Sequence, residues 1–302
     1  MAGEANIGME KFFKQSKKNA KKSLMIGKFE KDVNRRINLA SLADVLEAYR
    51  ENGYEVLLGN PDCLSTRLER KRRTVNASFA VSLSDILVFQ WIAGMAPWHH
   101  ALVIGNSFGF STFVIAALLE GCEVDAIDAE IEGSENGLGS EITRKIIASH
   151  YGGVRLTKGY SPQDLDKACR FENYDFIFID GMHTNKQLIS DYKGIQKRCA
   201  KDCVVYCHDV GMAKMQTGWQ KIIEELMYPN DEAFELHFTS FGSTLVVSGF
   251  PKLKNFLRKS CRSLEECNYY LGSRHMGFRS SLRIFFRTIR YSTKLGRFLP
   301  QR

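Results

Sequence analysis

Asp180, His208 and Asp209 can each bind a cation or move a proton, and each stands at the end of a short apolar run. Asp180 closes Asp175-Phe-Ile-Phe-Ile, and the pair His208-Asp209 closes Cys203-Val-Val-Tyr-Cys. If the two runs are neighbouring strands, about 4.8 Å apart, the three side chains converge on one point. Two carboxylates and an imidazole so placed could hold a divalent cation, with Mg2+ the default for an oxygen-rich set. A bound cation would lower the pKa of a chelated hydroxyl. The alternative is two turn aspartates that accept backbone N–H bonds and a satisfied structural histidine.

A second group of residues suits an anionic or ribose-bearing ligand. The run Ala101-Leu-Val-Ile104 breaks into Gly105-Asn106-Ser107-Phe108-Gly109 and resumes as an apolar helical pattern through Ser111 and Thr112. A glycine turn between a buried strand and a helix lets backbone N–H groups approach a ligand at the positive end of the helix dipole. A further apolar run, Val124 to Ile127, ends in Asp128. That acid lies about 20 residues past the turn, where α/β nucleotide-binding folds place a ribose-binding carboxylate.

The elements that must position these residues follow from the hydrophobic pattern. Strands are expected at 101–104, 123–127, 153–157, 175–179, 203–207, 234–239 and 243–248. Helices are expected at 40–50, 82–93, 111–120, 141–149, 163–170, 186–199 and 216–227. Short apolar strands alternating with helices imply an α/β, Rossmann-like, seven-stranded and mostly parallel sheet with helices on both faces. The last two strands are joined only through Phe241-Gly242-Ser243, which predicts a terminal antiparallel hairpin.

Charge divides the chain into three. Residues 1–75 hold 16 Lys+Arg against 10 Asp+Glu, and residues 251–302 hold 13 against 2, whereas the middle carries a net charge of −9. The reading is a basic, largely helical N-terminal extension (1–80), a catalytic-looking domain (81–250) and a basic C-terminal extension (251–302). An acidic core argues against nucleic acid spread over it. Within the extensions, 8–36 is Lys/Arg-rich, and 278–299 sets Leu282, Phe285, Phe286 and Ile289 against arginines in an amphipathic helix. Such a helix lies on an anionic membrane surface, or packs on its own domain or on the partner of a homo-oligomer. Eight scattered cysteines, no secretory h-region and no run of about 18 apolar residues predict a cytoplasmic chain, membrane-peripheral at most.

The glycine turn, Asp128, Asp175-Phe-Ile-Phe-Ile-Asp180-Gly-Met-His183, Val205-Tyr-Cys-His208-Asp209-Val and the closing hairpin together resemble class I S-adenosylmethionine-dependent methyltransferases. The resemblance covers roughly residues 80–250, and its branch is the small-molecule and sugar O-methyltransferases, the macrocin and catechol types included. It implies S-adenosylmethionine as cofactor, held by Gly105, Asn106, Ser107, Gly109, Ser111, Thr112 and Asp128. Tyr160 and Ser161 in Gly159-Tyr-Ser-Pro162 would face the adenine, a plain turn being the other reading.

In metal-dependent relatives one ligand matches Asp180 and a consecutive pair matches His208 and Asp209, with a carboxylate where His208 stands. The general base falls three residues after the first ligand, at His183, whose alternative role is to cap the following helix. The chain departs from the family at Val103, where an acid two positions before the first glycine commonly holds the methionine end of the cofactor. The acidic loop Glu130 to Gly139 is the candidate substitute. The implied reaction is displacement of a sulfonium methyl by a deprotonated hydroxyl of a small molecule or sugar. A non-catalytic binding or scaffold protein stays open as the rival from another class. A nicotinamide-dependent oxidoreductase ranks lower, because the turn lacks G-x-G-x-x-G.

Overall fold

The computed structural model describes residues 39–58, 67–76, 81–131, 137–236, 239 and 241–260. The expected basic segment 8–36, the C-terminal amphipathic helix 278–299 and residues 132–136 of the acidic loop lie outside them. The chain divides into two units, residues 1–39 and 40–302, and the elements below belong to the second apart from Leu39.

A helix α1 (Leu39–Glu51) precedes a small antiparallel sheet of β1 (Glu55–Leu57), β2 (Arg67–Arg70) and β3 (Arg73–Asn76). The reading of 1–80 as largely helical contains no strand here. The reason is the β2–β3 turn, where Lys71 and Arg72 both take positive φ, 50° and 60°. Asn-Gly or Gly-Gly ordinarily signals such a turn, and basic residues do not.

Helix α2 (Leu83–Ala93) is followed by β4 (His100–Ile104), α3 (Phe110–Leu118), β5 (Glu123–Asp128), α4 (Leu138–His150) and β6 (Val154–Lys158). Then come α5 (Leu165–Ala168), β7 (Tyr174–Ile179), α6 (Asn185–Gln196), β8 (Cys199–Cys207) and α7 (Ala213–Lys221), which runs into a π-helical turn, Ile222–Leu226. The strands β9 (Glu232–Leu236) and β10 (Ser243–Ser248) follow, and residues 251–260 are helical. The sheet order is β6-β5-β4-β7-β8-β10-β9. The first five strands are parallel, and β10 runs antiparallel to both β8 and β9. This is the Rossmann-like, mostly parallel seven-stranded sheet with a terminal hairpin that the pattern predicts.

Alternation along the strands separates two cores. On one face, Phe89 of α2 packs edge-on against Phe176, Phe178 and Tyr206, with ring centroids 6.0, 5.5 and 5.0 Å away. On the other, Leu102, Ile104, Ile177, Ile179 and Val205 meet Leu188, Tyr192 and Trp219. The helix expected at 163–170 shortens to Leu165–Ala168. Cys169 turns extended so that Arg170 reaches the fully buried Asp125, donating from its backbone N and from Nε at 2.7 Å each. Strand β8 starts at Cys199, inside the expected helix, because Cys199 pairs with Tyr174 of β7.

Candidate active site

Strand register brings the chemistry-bearing residues to one level. Ile104 stands opposite Ile127 and Ile179, and Ile179 stands opposite Cys207. Gly105, Asp128, Asp180 and His208, each at or just past a strand end, therefore share the carboxyl edge of the sheet. This edge includes the switch point between β4 and β7, where ligands of open α/β sheets bind.

The glycine turn is built around close backbone approaches. Gly105 has φ 91°, and a Cβ there would stand 2.2 Å from the Asp180 carbonyl oxygen. A Cβ on Gly139, at the start of α4, would stand 2.2 Å from the Ser107 carbonyl oxygen. Asp128 holds the turn: its Oδ2 accepts from the backbone N of Asn106 at 2.7 Å and of Ser107 at 2.8 Å. Its Oδ1 accepts from Glu130 N at 2.6 Å. A carboxylate offers about four acceptor positions, so one is left.

Of the residues expected to touch a cofactor, two turn their side chains inward. Asn106 donates to Thr143 Oγ1 at 3.0 Å and accepts from Thr112 Oγ1 at 2.9 Å. Asn106 and Thr112, both buried, thus shape the turn, and Ser111 is buried beside them. Ser107 Oγ is buried without a hydrogen-bond partner among the described residues, which leaves it for a ligand or water. The loop holding Tyr160 and Ser161 adjoins Asp128, since Gly159 N donates to the Asp128 carbonyl at 2.9 Å. Tyr160 is exposed there, and Gln187 of α6 ties the loop down through Ser161 O at 2.6 Å.

Gln187 also donates to Asp191 Oδ1 at 2.9 Å. Burial pushes this carboxyl up to about 6. The folded pKa is therefore above the unfolded one, and stability falls as pH rises from about 4 to about 6. Asp191→Asn is expected to raise stability at pH 7 by roughly 2–3 kcal/mol, with the gain gone near pH 4. Paired thermal melts at the two pH values check this.

The second half of the site is a cluster of carboxylates and imidazoles. Asp180 Oδ1 faces His183 Nε2 at 3.1 Å and His208 Nδ1 at 3.0 Å. His208 Nδ1 also lies 3.2 Å from Asp209 Oδ1, and His183 Nε2 lies 3.6 Å from Asp209 Oδ2. Behind them, His208 Nε2 stands 3.4 Å from Oδ2 of Asp85, which is fully buried. Asp85 further accepts from Ser82 N at 2.9 Å, Ser82 Oγ at 2.6 Å, Tyr206 Oη at 2.5 Å and Ser243 Oγ at 3.0 Å.

These contacts set the charges. Burial pulls both imidazoles down, but the carboxylates outweigh it: Asp180 and Asp209 raise His183, and Asp209, Asp180 and Asp85 raise His208 well above the ordinary range. Burial pushes Asp180 up, yet the His208 charge and the two histidine hydrogen bonds bring it down overall. Burial lifts Asp209 to about 6.

His183 does not cap the following helix. The cap of α6 is Thr184, whose side chain accepts from Gln187 N at 3.2 Å. Nor are the hydrogen bonds of Asp180 those of a turn aspartate, since two imidazoles face it. The expected cation set changes as well. Asp180, His183 and Asp209 offer ligand atoms within 4.8 Å of one another, whereas His208 has carboxylate oxygens at both ring nitrogens. A nitrogen that donates N–H to a carboxylate has no lone pair for a metal. The donor set does not suit Mg2+, which takes oxygen ligands, because Asp180 and Asp209 direct oxygens at imidazoles.

At the position where the family commonly has an acid, Val103 is fully buried in β4, opposite Phe178. Glu130 of the acidic loop is bound by Lys158 at 2.6 Å and Arg144 at 3.3 Å. It is therefore not a free substitute for that acid.

The residue that sequence reading missed is Asp85. Its signal was visible as a helix cap, and the capping box with Ser82 is present. That role accounts for the residue locally and hides its contact with His208.

Residues 102–210 match a family model described as a methyltransferase domain. The resemblance drawn from the sequence holds over this segment. No curated protein matches the chain in sequence. Among solved structures, it is similar to the O-methyltransferase from Bacillus cereus in complex with SAH, with 18% identity over 70% of this chain and 91% of that chain and a TM-score of 0.49. It is also similar to the O-methyltransferase TomG from Streptomyces achromogenes, involved in tomaymycin synthesis and in complex with SAM, with 16% identity, 69% and 90% coverage and a TM-score of 0.49. Among the described residues, no helix is long and apolar enough to cross a membrane.

Proposed function

We propose that the chain is an S-adenosylmethionine-dependent O-methyltransferase acting on a hydroxyl of a small molecule or sugar in the cytoplasm. The observation that carries this reading is the juxtaposition at one sheet edge of a glycine turn after β4, clamped by Asp128, and a His183–Asp180 pair just past the neighbouring strand β7. Bound over the turn, S-adenosylmethionine would supply the electrophilic methyl of a sulfonium. Asp128 keeps an acceptor position for a ribose hydroxyl, and the loop of Tyr160 and Ser161 adjoins it.

Asp180 takes the Nε2–H of His183, which fixes the tautomer and leaves Nδ1 as the basic lone pair. His183 then removes the acceptor's proton, and the neighbouring carboxylates stabilise the imidazolium that forms. Asp209 Oδ1, buried and without a hydrogen bond among the described residues, lies 3.2 Å from His208 Nδ1 and adds negative charge beside the pair. Holding both reactants in line contributes the rest of the rate.

Val103 favours a second reading, a methyltransferase-like scaffold without activity. Methyl-labelled S-adenosylmethionine incubated with the full chain and a small-molecule extract separates the two. We expect label in a small molecule as an O-methyl group. Label confined to protein or nucleic acid, or no transfer at all, would count against the proposal.

A further inference from the structure

The inference concerns the acceptor end of the methyl-transfer site and rests on that reading. His208 stands where metal-dependent relatives carry a carboxylate ligand, and its surroundings are those of a buried cation. Carboxylate oxygens lie at both ring nitrogens: Asp180 and Asp209 at Nδ1, 3.0 and 3.2 Å away, and Asp85 at Nε2, 3.4 Å away. We propose that His208, held as an imidazolium between Asp85, Asp180 and Asp209, occupies the divalent cation's place, so that this site works without a metal.

Three features support the assignment. An imidazole nitrogen turned lone-pair-first toward a carboxylate would be repelled, so oxygens at both nitrogens require a proton on each. Asp85 is built as a permanent anion: it is fully buried and receives donors from Ser82, Tyr206 and Ser243 besides His208. Such a receptor fixes the ring and places its charge between Asp180 and Asp209, which would otherwise repel each other. A divalent ion on Asp180 Oδ1 would displace His183 and His208 from that oxygen and then face the imidazolium at close range. The positive charge that a metal would bring is thereby carried by a side chain. Asp85 acts as its positioning residue.

Metal binding to the chelator-treated full chain tests the proposal without an acceptor substrate. Mn2+ is followed by the loss of its free-ion electron paramagnetic resonance signal, and Zn2+ by calorimetry. The wild type is expected to bind neither ion at this site, so that Asp180→Ala leaves both readouts unchanged. His208→Asp, which restores a carboxylate, is expected to bind one Mn2+ per chain about 10-fold or more tightly than the wild type. If circular dichroism shows that variant to be unfolded, His208→Gln replaces it, with a smaller gain expected. One Mn2+ or Zn2+ bound by the wild type and lost in Asp180→Ala would overturn the proposal. So would a folded His208 variant that gains no metal. Titration with S-adenosylhomocysteine, run in parallel on the same samples, reports separately on the methyltransferase reading.

Discussion

His183→Ala is expected to lower the rate of methyl transfer by about 10²–10⁴-fold while leaving cofactor affinity unchanged. The size follows from the role, because removal of a positioned base leaves only proximity and binding to drive the reaction. The selectivity follows from the layout. His183 lies beyond the end of β7, whereas Asp128 ends β5, with β4 between them. Two strand spacings amount to about 10 Å, so the loss of one imidazole leaves the turn and its clamp intact. A purely structural role for His183 would instead lower stability, yet it caps no helix and is the most exposed member of the cluster, at 24%. Rate and S-adenosylhomocysteine affinity, measured on one preparation, distinguish the two roles.

Gly105→Ala is expected to remove cofactor binding and chemistry together. A methyl group at 2.2 Å from the Asp180 carbonyl oxygen and 2.6 Å from its carbon forces backbone apart, since no flexible side chain is there to move. The same position has φ 91°, which costs a non-glycine residue further strain. Overpacking and strain together suggest a loss of about 3 kcal/mol or more, roughly a 10 °C drop in melting temperature for a domain of this size. Gly121→Ala is the control. Gly121 has φ 78° and nothing within 4 Å of its Cβ position, so it isolates backbone strain from the clash. Its melting temperature is expected to fall by well under half as much, with cofactor affinity retained.

The parts of the site legible in sequence are those fixed by local pattern. Runs such as Phe176–Ile179 and Val204–Cys207 must be buried strands, and the residues that end them must gather at the sheet edge. Gly105 and Asp128 were legible for the same reason, since a glycine break and an acid at successive strand ends need no tertiary knowledge. Legibility stops where a contact is made across the fold. Asp85 and His208 are 123 residues apart in sequence, and local capping already accounts for Asp85. Arg170 cuts α5 short through a bond to Asp125, 45 residues away, which no helical periodicity records. The β2–β3 hairpin was hidden because Lys71 and Arg72 take backbone conformations usually left to glycine and asparagine. Asn106 and Thr112 could be placed at the turn from sequence, but only the hydrogen bond between them shows that they build it.

Val103 stands where the family usually has an acid for the methionine end of the cofactor, and Glu130, the acid of the neighbouring loop among the described residues, is paired with Lys158. Cofactor affinity is thus the point on which the functional reading depends. The most direct measurement is calorimetric titration of S-adenosylhomocysteine into the full chain, wild type and Asp128→Ala. We predict one molecule bound per wild-type chain and at least about 10-fold weaker binding in the variant, which loses both the ribose contact and the clamp on the Asn106 and Ser107 amides. A wild type that takes up no S-adenosylhomocysteine even at millimolar concentration would contradict the account.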